Sequence, residues 1–478
     1  MWSTCHHGAA LLPRARPWAQ PDLPAMKQIR LNAFDMNCVG HIHQGLWRHP
    51  RDRSTQYTDL AYWMDLARTL ERGLFDGLFL ADVLGIYDVY QGGPDAAVRE
   101  AVQVPVGDPL LLIPAMAAAT THLGFGVTAN LSYEPPYTFA RRMSTLDHLT
   151  GGRIGWNIVT GYLDSAARAL GLDGQAAHDD RYAVAEEYMD VVYRLWEGSW
   201  ADDAVRRDRA GGVYADPARV RAVRHHGPHF RMEGAHLCEP SPQRTPVLYQ
   251  AGSSERGRKF AAAHAECVFV NGGPKTHVAR LVADLRDLAR SLGRDPSDLK
   301  VFVGATVVVD ETDALAQAKR ADYECYASVE GALAHASASL GIDFAARGWD
   351  EPIHPGQSQA VTSNIENQAA RRPDKVLTRR GLVEGLTLGG RQVPIVGGPA
   401  TVADELTAWV EQADVDGFIL ARTVTPECFG DFVDLVVPEL QRRGAYKTEY
   451  SPGTLREKLS GHGARLPAGH PAASRRWV

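Results

Sequence analysis

Short apolar runs alternate along this chain with longer stretches whose apolar positions recur every three or four residues. That alternation predicts βα units built on a parallel sheet. A first strand is expected over residues 29–34, a helix over 57–72 that stops at the C-cap signal Gly73, and a second strand over 76–82. A helix over 109–121, a strand over 123–130, a helix over 138–149 and a strand over 153–160 follow.

The second half repeats the scheme. Helix 181–196 leads to strand 246–251, helix 254–264 to strand 267–271, helix 276–292 to the β-branched run 301–309, and helix 313–328 precedes strand 417–421 and helix 429–443. Eight strands alternating with helices give an α/β fold, a (β/α)₈ TIM barrel with insertions. The strands read as continuous apolar runs, as burial on both faces requires. The segments 197–245 and 330–399 do not fit the bare barrel. They are read as insertions folding over its mouth, the second as a mobile lid. Residues 1–25, rich in Pro, Arg and Ala, read as a disordered extension before Met26, a candidate native start. Residues 26–466 then form one barrel domain and 467–478 a tail.

Composition narrows the chemistry. With 478 residues, 45% hydrophobic and 23% charged, the chain is of globular type and can bury a large core. Its formal charge of −6, without a long basic run, argues against nucleic acid or an anionic membrane as partner. The 6 cysteines are scattered with no CxxC pair, the usage of a reducing, cytoplasmic setting. No run is long enough to span a membrane.

Gly124-Phe-Gly126-Val-Thr-Ala129 matches a dinucleotide fingerprint in letters only, because its glycines lie inside a strand and Pro135-Pro136 follow. That removes the main support for a doubly wound sheet, the competing fold. No Walker A sequence and no HExxH motif occur, and the pairs His41/His43 and His225/His226 lack further ligands at metal spacing, so no metal is expected.

Barrel chemistry gathers at the C-terminal ends of strands. The polar residues there are Asp82, Thr128, Asn130, Asn157 and Thr160, and the turn Gly252-Ser253-Ser254-Glu255-Arg256-Gly257 opens a helix. Ser253 or Ser254 can cap that helix or leave its N–H groups to a phosphate, with Arg256 and Arg258 adding charge. His178 and Tyr182, four apart, share one helix face, as packing or as a site.

These residues stand within longer familiar motifs. Asn32-Ala33-Phe34-Asp35-Met36-Asn37-Cys38-Val39-Gly40-His41, Gly45-Leu46-Trp47-Arg48-His49-Pro50, Arg141 to Thr150, Trp156-Asn157-Ile158-Val159-Thr160, Leu237 to Pro246 and Gln250 to Gly257 resemble the bacterial-luciferase-like flavin monooxygenases. The branch is that of the nitrilotriacetate, dibenzothiophene sulfone, dimethyl sulfide and long-chain alkane enzymes, and the resemblance runs from about Met26 to Leu466. It implies a barrel binding reduced FMN, supplied by a separate NAD(P)H-dependent FMN reductase, with O₂ as co-substrate and a C4a-hydroperoxyflavin oxygenating a sulfide, sulfone, amine or alkane. It also implies a homodimer or homotetramer. Carried over by motif, the flavin contacts fall on Asp82, Thr128, Asn157, His178, Tyr182, Ser253 and Ser254. Phe34, Tyr87, Tyr133 and Trp156 are candidates for a substrate wall, and Asn157, Cys38 and Tyr162 for catalytic roles. Cys38 is open to a second reading, as a small buried hydrophobe. Cys38 and Gly331-Ala332-Leu333-Ala334-His335 look like the alkane enzyme, whereas Tyr162 stands where that enzyme has His, so the substrate stays open. A deazaflavin-dependent dehydrogenase or a non-catalytic flavin-binding protein on the same fold are the alternatives.

Overall fold

The computed structural model describes residues 27–252, 254–353, 378–386, 388 and 392–477. Eight parallel strands close into a barrel: β1 Arg30–Met36, β2 Gly77–Ala81, β3 Gly124–Asn130, β4 Ile154–Val159, β5 Val247–Gln250, β6 Cys267–Val270, β7 Lys300–Val309 and β8 Gly417–Ala421. Each pairs with its chain neighbour, and β8 returns to β1 through the register Asn32↔Ile419. Closure leaves no barrel edge unpaired. All eight strands lie where the apolar runs placed them. A further short strand, Val393–Gly397, adds to the far half of β7 from Ala305 to Val309.

Helices α1 Leu60–Arg72, α2 Ile113–Ala118, α3 Pro136–Leu149, α4 His178–Gly198, α5 Glu255–His264, α6 Lys275–Ser291, α7 Asp313–Glu324, α8 Val329–Leu340 and α9 Pro399–Ala413 include the outer ring. Their apolar stripes meet the outward-facing strand residues in a continuous buried layer. The single helix expected over 429–443 is instead broken into Glu427–Asp431, a wide turn Phe432–Val436 and Val437–Arg442. Pro438 has no N–H to return to the preceding turn, which accounts for the break.

Inside the barrel, Phe79, Tyr249, Phe269 and Phe302 pack together, with centroid separations of 4.5 Å for Phe79–Phe269 edge to face, 5.5 Å for Tyr249–Phe269 stacked and 5.7 Å for Phe269–Phe302 tilted. The base is sealed by the helix Leu455–Ser460, which the sequence pattern did not single out. Leu455 and Leu459 enter the barrel interior, and a Cβ on Gly124 would lie 2.5 Å from Leu455, so only glycine fits there. Arg456 is 2% exposed and donates to Glu266 at 2.6 Å and to the Thr245 and Pro246 carbonyls at 2.9 and 3.0 Å.

The two insertions fall at opposite places. Because α4 runs from the mouth down to the base, the segment that follows it starts at the base. It forms two hairpins, Val205–Asp208 with Val213–Ala215 and Val223–His226 with Arg231–Gly234. Glu187 of α4 fastens the second to the outer wall, accepting from the Phe230 and His229 amides at 2.9 and 3.0 Å and lying 2.8 Å from His225. It does not cover the mouth. The other insertion does: Leu333, Ala334, Ala336 and Leu340 of α8 pack on Tyr87, Tyr90, Ala96 and Val102 after β2 and on Leu163 and Ala166 after β4. The part of the lid expected over 354–377 lies outside the described residues, as does the extension 1–25. The expected C-terminal tail is packed, with His470 2% exposed and bonded to the His264 carbonyl at 2.9 Å.

Removing Arg456 would leave the Glu266 carboxylate buried without its partner, so Arg456→Ala is expected to destabilise the fold by about 3–5 kcal/mol. The double variant Arg456→Met/Glu266→Gln should recover a large part of that loss. Urea unfolding of the three proteins, read by circular dichroism, checks this; equal loss in single and double variants would show that packing, not the pair, matters.

Candidate active site

Strand ends β2 to β5 carry a continuous run of polar groups at the mouth. Asp82 follows the last residue of β2. Burial, and then the nearby Asp108, push its carboxyl up to about 7. Such a shift holds a proton on the group at pH values where a free carboxyl has lost it. On the next strands the register pairs Thr128 with Asn157. Both are buried, and Asn157 Nδ2 donates to Thr128 Oγ1 at 2.9 Å. Asn157 Oδ1 is buried with no partner among the described residues.

A recess of about 440 Å³ opens two residues further along the same strands, at Asn130 and Val159, and is also lined by Asp82, Tyr133, Gly161, Tyr162 and Ala166. Gly161 has φ +73°, and a Cβ there would lie 2.5 Å from Asn130 Nδ2 and 2.9 Å from Gln175 Nε2. Only glycine allows both the turn and the approach. Tyr133, half-buried, accepts from Gln175 Nε2 at 2.7 Å, leaving its own O–H to donate. Tyr87 is buried behind the recess and donates to Gln103 Oε1 at 2.7 Å, with its oxygen 2.6 Å from that of Tyr162. Gln103 Nε2 stands 3.2 Å from His335 Nε2. The fold thus joins Tyr162 to His335, residues 173 apart in sequence. Phe34 lines the inner rim, its ring 4.6 Å from His41 and 5.6 Å from Phe79.

Two expectations are corrected. Trp156 is not part of the wall: alternation along β4 turns Asn157 inward and Trp156 outward, where it packs on Phe139 at 4.5 Å and donates to the Ala129 carbonyl at 3.0 Å. Cys38 offers no reactive thiolate. It is fully buried, its thiol donates to the Gly40 carbonyl at 3.2 Å, and burial, opposed by Arg422, pushes its pKa up to about 12.

A second cluster lies one strand further on, since Ile158 of β4 is in register with Gln250 of β5. Ser254 caps α5, accepting from the Gly257 amide at 3.1 Å, and stands 3.5 Å from His178 Nε2. Tyr182 is buried with its hydroxyl facing Ser254 and Gln250, and burial raises its pKa. Ser253 lies outside the described residues. The arginines expected to supply charge are already engaged, Arg258 with Asp284 at 2.6 Å and Arg256 at 3.9 Å from Glu186. Among the described residues near this cluster, a cation without a carboxylate partner is one that sequence reasoning missed. Arg181 is 4% exposed, its Nε has no partner, and among the described residues no carboxylate is in ion-pair contact with it. Burial lowers its pKa. Its spacing of three from His178 was the available signal, since i and i+3 share a helix face. Among the described residues, no group of three or more His, Cys, Asp or Glu side chains could hold a metal ion and no helix is long and apolar enough to cross a membrane.

Residues 43–416 match the family model described as luciferase-like monooxygenase. The chain belongs to that family. This luciferase-like monooxygenase is 48% identical over 451 residues to the dimethyl-sulfide monooxygenase of Hyphomicrobium sulfonivorans, covering 94% of each chain. It is 50% identical over 454 residues to the long-chain alkane monooxygenase of Geobacillus thermodenitrificans, covering 95% of this chain and 99% of the other. A crystal structure of a riboflavin lyase with modified FMN and riboflavin superposes with a TM-score of 0.89 at 37% identity, covering 95% of this chain and all of that one.

For this monooxygenase the raised Asp82 pKa has a thermodynamic sign. Between about pH 4 and about 7 the folded chain keeps a proton at Asp82 that the unfolded chain has lost, so this group's contribution to stability falls as pH rises through that window. Asp82→Asn should therefore raise the thermal midpoint relative to the parent at pH 8 and not at pH 4. A midpoint difference that does not change with pH would exclude the shift.

Proposed function

We propose that the mouth binds reduced FMN and O₂ and oxygenates a small organic substrate of sulfide, sulfone, amine or alkane type, with the flavin delivered by a separate NAD(P)H-dependent reductase. The carrying observation is the orphaned Asn157 Oδ1. A buried acceptor left unmade costs about 1–3 kcal/mol, and a planar ring offering an N–H in the recess relieves it. Thr128, whose oxygen is occupied as an acceptor but whose hydroxyl proton is free, and Asp82, able to hold a proton near neutral pH, are suited to the carbonyl and imide groups of the same ring edge. One strand away, Tyr182, His178 and Ser254 supply donors, and Arg181 supplies charge, for a phosphate dianion. The donor set therefore fits FMN, with its ring toward β2–β4 and its phosphate toward β5. When bound, the reduced flavin supplies the electrons that activate O₂.

The protein's own part is to bind, orient and keep water out. Val83, Leu84, Val159 and Ala166 give the recess an aliphatic lining, and α8 roofs it with Leu333 and Ala334 buried against Tyr87 and Ala166. Water exclusion protects the activated oxygen from discharge as peroxide. The hydroxyls of Tyr87 and Tyr162, linked to Gln103 and His335, form a polar strip against which a substrate orients and which can hold or move a proton at the Tyr162 oxygen.

Arg181→Gln and Tyr182→Phe should each weaken binding of reduced FMN by about 1–3 kcal/mol, through lost charge-assisted contacts, with little change in thermal stability. Anaerobic titration followed by flavin fluorescence measures it. The isolated chain with FMN and NADH should consume no NADH until a flavin reductase is added, after which O₂ uptake across a panel of sulfides, sulfones, amines and alkanes identifies the substrate class. Turnover with a reduced deazaflavin and not with FMN would overturn the reading.

A further inference from the structure

On the outer wall near the base, away from the mouth, an open recess of about 720 Å³ is lined by Arg194 of α4, by Arg221 and Arg224 of the second hairpin segment, and by Ser474, Arg475 and Arg476. Three separate parts of the chain thus bring five guanidinium groups together. They share few carboxylates. Asp190 serves both Arg194 at 2.8 Å and Arg475 at 2.6 Å. Glu233 pairs with Arg224 at 2.8 Å, and Glu197, which is also paired with Arg465, is 3.9 Å from Arg476. Arg221 donates to the Gly198 carbonyl at 2.8 Å and stacks over Trp477 at 4.4 Å, with no carboxylate in ion-pair contact among the described residues. The negative end of the α4 dipole at Gly198 accounts for one cation at this spot. Five exceed what it needs.

We propose that this groove docks an acidic segment of a partner protein. Arginine forks match carboxylates in two-point geometry, and side chains already held in place by Asp190 and Trp477 lose less freedom when a ligand arrives. The recess is open to solvent between the hairpin and the C-terminal turn, so a chain can lie across it, whereas small ligands favour enclosed pockets. The occupant is not supplied by this chain's remaining segments. Residues 1–26 carry Arg14 and Arg16 against Asp22, and residues 354–377 carry Arg371, Arg372 and Lys375 against Glu366 and Asp374, so neither is acidic. Against a whole-chain charge of −6, the groove is a local positive spot that orients an approaching acidic surface.

The test uses the full chain and a fluorescein-labelled oligoglutamate, followed by anisotropy. The parent should bind it, with affinity falling steeply between about 50 and 200 mM salt as the charges are screened. Arg224→Gln/Arg475→Gln should weaken binding by about tenfold or more, with an unchanged circular dichroism spectrum; Arg224 is largely exposed, and Arg224→Gln alone, which leaves the Asp190 pair intact, serves as the second variant. Equal affinity of parent and both variants would overturn the proposal. Tighter binding of a labelled oligonucleotide of equal charge, or displacement of the peptide by millimolar inorganic phosphate, would overturn it too, by assigning the groove to nucleic acid or to a small anion.

Discussion

Arg456 decides which end of this barrel stays open. Its guanidinium, 2% exposed, holds Glu266 just before β6 and the backbone just before β5, while the helix that carries it drives Leu455 and Leu459 into the interior. With the base sealed and the middle filled by Phe79, Tyr249, Phe269 and Phe302, the described residues leave the recess above them, at the C-terminal ends of the strands. A parallel barrel puts every βα connection at that same rim. Space and variable loops therefore coincide.

A second buried pair stabilises the mouth itself. Asp35 of β1 and Arg422, just after β8, meet at 2.8 Å with 0% and 4% of their side chains exposed. Arg422 also donates to the Cys38 and Val39 carbonyls at 2.9 and 2.6 Å. Burial still pushes the Asp35 carboxyl up to about 6 against the pull of Arg422, so the pair is costly to desolvate and its value lies in placement. It ties the loop carrying Cys38 and His41 to the closing strand. Cys38 thus contributes a carbonyl and a small volume, and the motif around it is distinctive because the loop geometry is, not because the thiol reacts.

The eight barrel strands were legible because burial on both faces makes them continuous apolar runs, a signal that needs no tertiary information. The strand-end polar residues were legible for the same reason, since a polar residue closing such a run stands out. Trp156 was misread because a position in a strand fixes the side only when its neighbour's side is known, and Asn157 takes the inward one. Arg181 was passed over because a charged residue on an amphipathic helix is ordinarily solvated; only the packed structure shows that it is buried without a carboxylate. The base-sealing helix was missed because Leu455 and Leu459 make too short a stripe to register. The placement of 199–245 on the outer wall followed from the direction of α4, which the pattern had supplied and which was not used.

The distribution of unspent hydrogen-bonding capacity argues most directly for where chemistry occurs. Some demanding polar groups of the lower barrel are fully matched: Arg153 gives bonds to the Thr120 hydroxyl and to the Ala117, Thr120, Thr150 and Leu123 carbonyls, and Gln243 binds Asp147 through both its amide nitrogens. Others, such as Asn32 Nδ2 and two nitrogens of Arg294, are left singly; around the mouth Asn157 Oδ1, the Thr128 hydroxyl proton and Arg181 Nε are unspent on neighbouring elements. Buried groups of this kind are expensive, and three of different chemistry left together on β3, β4 and α4 are suited to a ligand. The unspent atoms include an acceptor, a neutral donor and a cation. A ligand that is apolar throughout cannot answer all three; a planar heterocycle joined by a flexible chain to a phosphate can.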